Sequence, residues 1–230
     1  MGMNIAMDGP AGAGKSTIAK RIAKELGIIY VDTGAMYRAM GVFFHRRGIE
    51  PQDKEGIGAA VREADVTIRY EEGQQQVYLN GENVTGYLRT EEAGRMASAI
   101  SVYPAVRRKL VELQQQMAAR QDVIMDGRDI GTVVLPQAEL KIYLTADSGV
   151  RARRRYDELT AKGEICDLEE IQREIEARDY QDMHREESPL KQAKDAVVVD
   201  TSDMDIEQVV QAVSRLYQDR RKEKTGIQTE

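Results

Sequence analysis

Near the start of the chain, Gly9-Pro10-Ala11-Gly12-Ala13-Gly14-Lys15-Ser16 sets glycine, lysine and a hydroxyl at the spacing G-x-x-x-x-G-K-S, with Thr17 following. Glycines at these positions let the backbone curl until successive N–H groups point inward at phosphate oxygens. Lys15 adds a mobile point charge for the outer phosphates, and the Ser16 hydroxyl suits Mg²⁺. The chemistry implied is the holding of a polyphosphate. Such a loop works between a strand and a helix, and its flanks fit. Met3-Asn4-Ile5-Ala6-Met7 reads as a short apolar strand, while Ile18, Ala19, Ile22, Ala23 and Leu26 recur at helical spacing before Gly27 ends the run.

Two further loops hold charged residues after apolar strands. Asp32-Thr33-Gly34-Ala35-Met36-Tyr37-Arg38 follows the second strand, with Thr33 as an expected N-cap and Arg38 one turn into the helix. Val123-Ile124-Met125-Asp126-Gly127-Arg128-Asp129-Ile130-Gly131-Thr132 is an apolar strand ending in Asp, the second signature of phosphate enzymes, whose carboxylate helps hold Mg²⁺. Arg128 and Asp129 then fall at the carboxyl end of the sheet, where ligands of such folds bind.

Two arginine clusters come later. Arg151, Arg154 and Arg155 share a helix face by i, i+3, i+4 spacing, with Arg153 between them, and a polyphosphate would reward such crowding. Arg178, Asp182 and Arg185 form an i, i+4, i+7 stripe, which could equally be a surface salt bridge worth ~0.3–0.5 kcal/mol.

The elements that must position these groups alternate. Strands are expected at residues 3–7, 28–31, 122–125, 140–144 and 196–199, and helices at about 15–26, 34–47, 91–100, 104–120, 149–161, 168–187 and 205–218. This is an α/β fold, doubly wound, with a parallel sheet of about five strands. Residues 65–88 interrupt it. Val66, Ile68 and Tyr70, then Val77 and Leu79, alternate with polar residues, predicting a small antiparallel β insertion with turns near Gly73 and Asn80-Gly81. Residues 1–218 are read as one domain, with the insertion at about 60–90, and residues 219–230 as a polar tail that frays.

Composition narrows the class. A net charge of −6 argues against non-specific binding to nucleic acid or acidic membranes. Of the cations 22 are Arg and 11 Lys, and guanidinium is the better bidentate partner for phosphate. No apolar run approaches the ~20 residues of a membrane span, and the N-terminal sequence lacks a signal pattern, so a cytoplasmic protein is expected. The single cysteine, Cys166, is read as a bystander. His45 and His184 lie far apart, without metal-ligand spacing, and His184 is read as a surface residue.

Taken together, the string Asp8 to Ser16, the loop Asp32 to Arg38, the string Asp126 to Thr132, the Arg178/Asp182/Arg185 stripe and the insertion resemble the bacterial cytidylate kinase family of nucleoside monophosphate kinases over residues 4–217. The resemblance implies transfer of phosphate from ATP to CMP or dCMP with Mg²⁺. The sequence does not reveal the oligomeric state, and a monomer is the default expectation. The resemblance also implies that Thr33, Arg107 and Asp129 read cytosine, that Arg38, Arg128 and Arg185 hold the monophosphate, and that Ser98, Arg178 and Asp182 contact the ribose, with Tyr37 in the same set. Lys15, Arg128, Arg154 and Arg185 would act on the moving phosphoryl group, and Ser16 and Asp126 would hold the metal. Residues from about 150 to 165 would form a helical lid over ATP. Serine is also familiar where this chain has Thr33, and the hydroxyl role survives the change. The acceptor oxygen of a phosphate is already anionic, so no general base is required. A kinase of small-molecule hydroxyls would instead need a carboxylate base, for which Asp129 could serve. A GTP-dependent switch is disfavoured because no N-K-x-D motif is present.

Overall fold

The computed structural model describes residues 3–225 and divides the chain into two compact units, residues 1–30 with 121–230, and residues 31–120. The first unit is built on β1 (Ile5–Asp8), β6 (Val123–Gly127), β7 (Leu140–Thr145) and β8 (Val197–Asp200), together with the start of β2 (Ile29–Asp32). The sheet order is β2-β6-β1-β7-β8, and β1 runs parallel to both β6 and β7, as β7 does to β8. Each expected strand is present. Ile5, Met7, Leu140, Ile142 and Leu144 take alternate positions and bury one sheet face against Ile18, Ala19, Ile22 and Ala23 of α1 (Lys15–Leu26) and Val209, Val210 and Val213 of α8 (Ile206–Thr225).

The central strand ends directly in the phosphate loop, and Gly9 is the hinge between them. Its φ is +149°, and a Cβ there would stand 1.9 Å from the Leu144 carbonyl oxygen of the adjacent strand. Backbone cannot yield as a flexible side chain would. Gly9→Ala is therefore expected to destabilise the fold by on the order of 3 kcal/mol. A thermal melt within a degree or two of wild type would contradict this close approach.

The largest departures from the expected helix ends are those of α8 and α7. The polar stretch from Asp219 continues α8 through Thr225, because it is rich in good helix formers and is held by Arg220 to Glu223 and Lys224 to Glu139. The part of the expected frayed tail beyond Thr225 lies outside the described residues. Helix α7 (Leu168–His184) stops three residues early. At Arg185 the backbone becomes extended, the Arg185 side chain turns onto the Ser188 carbonyl (2.6 and 2.9 Å), and Leu190 N–H returns to the Asp182 carbonyl (2.8 Å). α7 packs on α6 (Ser148–Ala161) through Ala152, Leu159, Ile171 and Ile175, so the segment expected to be a lid is half of a helical pair with its own small core.

The second unit is larger than the insertion seen in the sequence. It holds α2 (Thr33–Arg46), α3 (Lys54–Ala60), the antiparallel sheet β3 (Val66–Glu71), β4 (Gln74–Leu79) and β5 (Glu82–Asn83), then α4 (Glu91–Ile100) and α5 (Pro104–Ala118). The turns fall at Glu72-Gly73 and Asn80-Gly81, all with positive φ, as a tight hairpin of the right twist requires. Helix α3 has no sequence signal beyond its Asp53 cap, since Gly56 and Gly58 weaken its propensity.

Candidate phosphate-transfer site

In the first unit the loop after β1 delivers Lys15 and Ser16 to the start of α1. Lys15 is buried and its Nζ donates to the Pro10 carbonyl at 2.7 Å. Burial, with Arg128 nearby, pushes its ammonium well below the usual lysine range, while Asp126, Asp182 and Asp8 pull the other way. Those influences place all five groups in one electrostatic neighbourhood. Ser16 Oγ donates to Asp126 Oδ2 at 2.7 Å, and the Tyr30 hydroxyl donates to Asp126 Oδ1 at 3.0 Å. Strand register explains the convergence: Asp126 stands beside Met7 on the neighbouring strand, one residue short of the loop.

The loop after β6 is fixed by a residue to which the sequence reading assigned no role. Asp8, the last residue of β1, accepts the N–H groups of Ile130 and Gly131 at 2.7 Å each. Burial pushes this carboxyl up to about 6, against the pull of the two N–H donors, and the charge of Asp129 adds to the rise. Here the chain makes a turn of π-helix, Ile130–Val134, with Leu135 N–H reaching the Ile130 carbonyl. The turn sets Arg128 and Asp129 at its mouth. Arg128 Nε donates to Asp182 Oδ2 at 2.7 Å, and Arg185 lies 3.5 Å from Asp182 Oδ1 and 3.8 Å from Asp129 Oδ1. Asp182 is only 7% exposed. Burial works against its charge, yet Arg128, with Arg178 and Arg185, holds its carboxyl below the usual range. Arg178 itself is exposed. Asp182 thus adds a buried pair with Arg128 to the influence of Arg178 one turn earlier on its own helix.

The arginines of α6 share a helix but take different partners rather than acting as one cluster. Arg151 is buried and ion-paired with Asp179 at 2.6 Å. Arg154 donates to the Thr201 carbonyl at 2.6 Å and to its hydroxyl at 3.1 Å. Arg155 is half-buried and pairs with Glu158 at 2.9 Å, while Arg153 lies over the Tyr156 ring. Helix spacing fixes direction to within a turn, but the partners come from remote segments and divide the cluster. His184 is exposed and stacks on Tyr180, as its place on a charged helix implied.

In the second unit, α2 begins at Thr33, so the cap is Asp32 rather than Thr33. Asp32 Oδ1 accepts Ala35 N–H at 2.8 Å and Oδ2 accepts Arg38 Nη2 at 3.0 Å. A carboxylate offers a separate oxygen to each donor, where a threonine hydroxyl has a single oxygen. Thr33 is buried, and Arg38 Nε is buried without a hydrogen-bond partner among the described residues. Arg107 is buried, donates to the Ser101 carbonyl at 3.2 Å and lies 5.6 Å from the centre of the Tyr37 ring. Ser98 is half-buried on α4, its carbonyl accepting Ser101 Oγ. Gln75 of β4 had no sequence signal, yet its Oε1 accepts Asp32 N–H at 2.8 Å, tying the insertion to this loop.

Strand, phosphate loop, helix and a neighbouring strand with Asp126 as its penultimate residue define a P-loop phosphotransferase. A gluconokinase structure from Sinorhizobium meliloti shares the fold at a TM-score of 0.50 and 12% identity, covering 98% of each chain. A family model described as cytidylate kinase matches residues 5–219. Proteins named cytidylate kinase from Lactobacillus gasseri (48% identical, 96% of each chain) and from Caldicellulosiruptor bescii (49%, 94% of this chain and 95% of the relative) are similar along nearly their whole length. The chain belongs to the cytidylate kinase family. Among the described residues no helix is long and apolar enough to cross a membrane.

Proposed function

We propose that the chain transfers the γ-phosphoryl group of ATP to CMP and dCMP, giving ADP and CDP or dCDP. Family membership over nearly the whole chain carries this reading, together with the Lys15, Ser16 and Asp126 constellation at the end of β1. Phosphoryl transfer needs in-line positioning and concentrated positive charge rather than covalent chemistry. Lys15, Arg128 and Arg185 supply that charge from three segments of one unit, and Asp182 keeps both arginines oriented. The acceptor oxygen is a phosphate oxygen, anionic at neutral pH, so the reaction requires no base.

Ser16 and Asp126 offer hard oxygen donors 2.7 Å apart, a set that fits Mg²⁺ shared with phosphate oxygens. When bound there, the ion would neutralise charge developing on the transferred group. For the acceptor, Thr33, Arg107 and Asp129 are assigned to the base, Arg38, Arg128 and Arg185 to the monophosphate, and Ser98, Arg178 and Asp182 to the ribose, with Tyr37 beside Arg107. The partnerless Nε of Arg38 supports its assignment, because a buried guanidinium donor without an acceptor is costly unless an anion meets it. Arg154 is assigned to the donor side. The protein is read as a cytoplasmic monomer.

An ADP-release assay over CMP, dCMP, UMP and AMP tests the reading. CMP and dCMP should exceed UMP and AMP in kcat/KM by ~10-fold or more, since a site built to hydrogen-bond one base rejects another that leaves its groups unpaired. Turnover of gluconate or shikimate with none of CMP would favour a hydroxyl kinase. Slow hydrolysis indifferent to acceptor would favour a switch.

A further inference from the structure

The ion pair between Arg151 and Asp179 grips the phosphate loop itself. Asp179 Oδ1 accepts the N–H of Ala11 at 3.2 Å, and Arg151 Nη1 donates to the carbonyl of the same Ala11 at 2.8 Å. The two side chains meet at 2.6 Å and are 7% and 11% exposed. Both polar groups of one loop residue are thus held by one charge pair, with α6 supplying the cation and α7 the anion. Arg151 Nε is fixed in turn on the Ala146 carbonyl at 2.9 Å, just before α6. Gly12, next to Ala11, turns the loop at a φ of +74°, and a Cβ there would only touch Arg151 Cβ, at 3.4 Å, so the backbone conformation rather than the space calls for glycine.

This arrangement costs something unless it has a purpose. A carboxylate beside an anion-binding loop opposes phosphate, and a buried charge pair is seldom the most stable filling for such a space. What it does provide is a defined backbone orientation at the loop's third residue, tied to the α6–α7 pair. The shared core of Ala152, Leu159, Ile171 and Ile175 packs the two helices against each other.

We propose that Arg151 and Asp179 act as one positioning unit that sets the phosphate loop for the triphosphate donor and couples it to the α6–α7 helical pair. This rests on the ATP-dependent reading above and adds a role for two residues that do not touch the reacting atoms. The unit acts on the donor side, because both of its contacts with the phosphate loop are to Ala11.

The test uses the whole chain with Asp179→Asn, Arg151→Met and the double variant. Asp179→Asn is nearly isosteric and can still accept from Ala11, so it tests the charge pair even if Arg151→Met fails to fold. ADP affinity is measured by calorimetry without CMP, alongside KM for ATP, KM for CMP and the melting temperature. Each single variant should weaken ADP binding and raise KM for ATP by about tenfold, the scale of one charged hydrogen bond, with KM for CMP changed less than about twofold. The double variant should lose no more than the worse single, as members of one unit do. Lower melting temperatures with unchanged or tighter ADP binding would overturn the proposal, as would equal rises in both KM values. Should wild type bind ADP but fail to phosphorylate CMP, the acceptor assignment fails, and the ADP comparison still decides this one.

Discussion

Lys15→Ala should fold and lose at least ~10²-fold in kcat, because removing a cation from the transferring phosphoryl group costs several kcal/mol of barrier. The structure sharpens the reason. Lys15 is buried, it lies under the influence of Arg128, Asp126, Asp182 and Asp8, and burial already disfavours its charge. A cation held at such cost gains most when a polyanion arrives, so its contribution belongs to the loaded site. The folded protein should tolerate the change, since only the Pro10 carbonyl loses its bonded partner. Circular dichroism and a thermal melt establish folding, and the ADP-release assay gives kcat. A folded variant with kcat near wild type would remove Lys15 from the chemistry. Lys15→Arg should not rescue fully, because the planar guanidinium does not occupy the place of a compact ammonium.

Asp129→Ala should lower kcat/KM for CMP by ~10-fold to ~100-fold and for UMP much less, one charged hydrogen bond being worth roughly 1.5–3 kcal/mol. Cytosine presents an amino donor at the position where uracil presents a carbonyl acceptor. A carboxylate accepts from the first and repels the second. Asp129 is 5% exposed, is held at the mouth of the turn that Asp8 anchors, and has Arg185 3.8 Å away. A buried, oriented carboxylate discriminates more sharply than a solvated one, because water cannot take the place of the missing partner. Steady-state kinetics on both nucleotides decides the matter. Equal proportional losses for CMP and UMP would move Asp129 from base reading to the chemistry, as a hydroxyl kinase would require.

What the sequence determined by itself was local. The strand, phosphate loop and helix at residues 5–26 follow from apolar spacing, glycines and one cap, all encoded within twenty-odd residues. The two hairpin turns follow from Gly73 and from Asn80-Gly81. Asp126 is legible as the end of an apolar strand, and the family follows from motifs that are contiguous strings. The tertiary structure decided the pairing of charges. Arg151, Arg154 and Arg155 lie within five residues, yet one holds Ala11 and Asp179, one holds Thr201, and one pairs with Glu158 on its own helix. Asp182 follows Arg178 by one helical turn, and the structure adds a bond to Arg128, 54 residues away. Asp8 and Gln75 became visible only through the backbone groups they accept. The physical reason is reach. Periodicity specifies the face on which a side chain emerges, whereas a guanidinium on a long flexible stem, or a carboxylate under a sheet, takes the partner that the packing of distant segments brings within 3 Å.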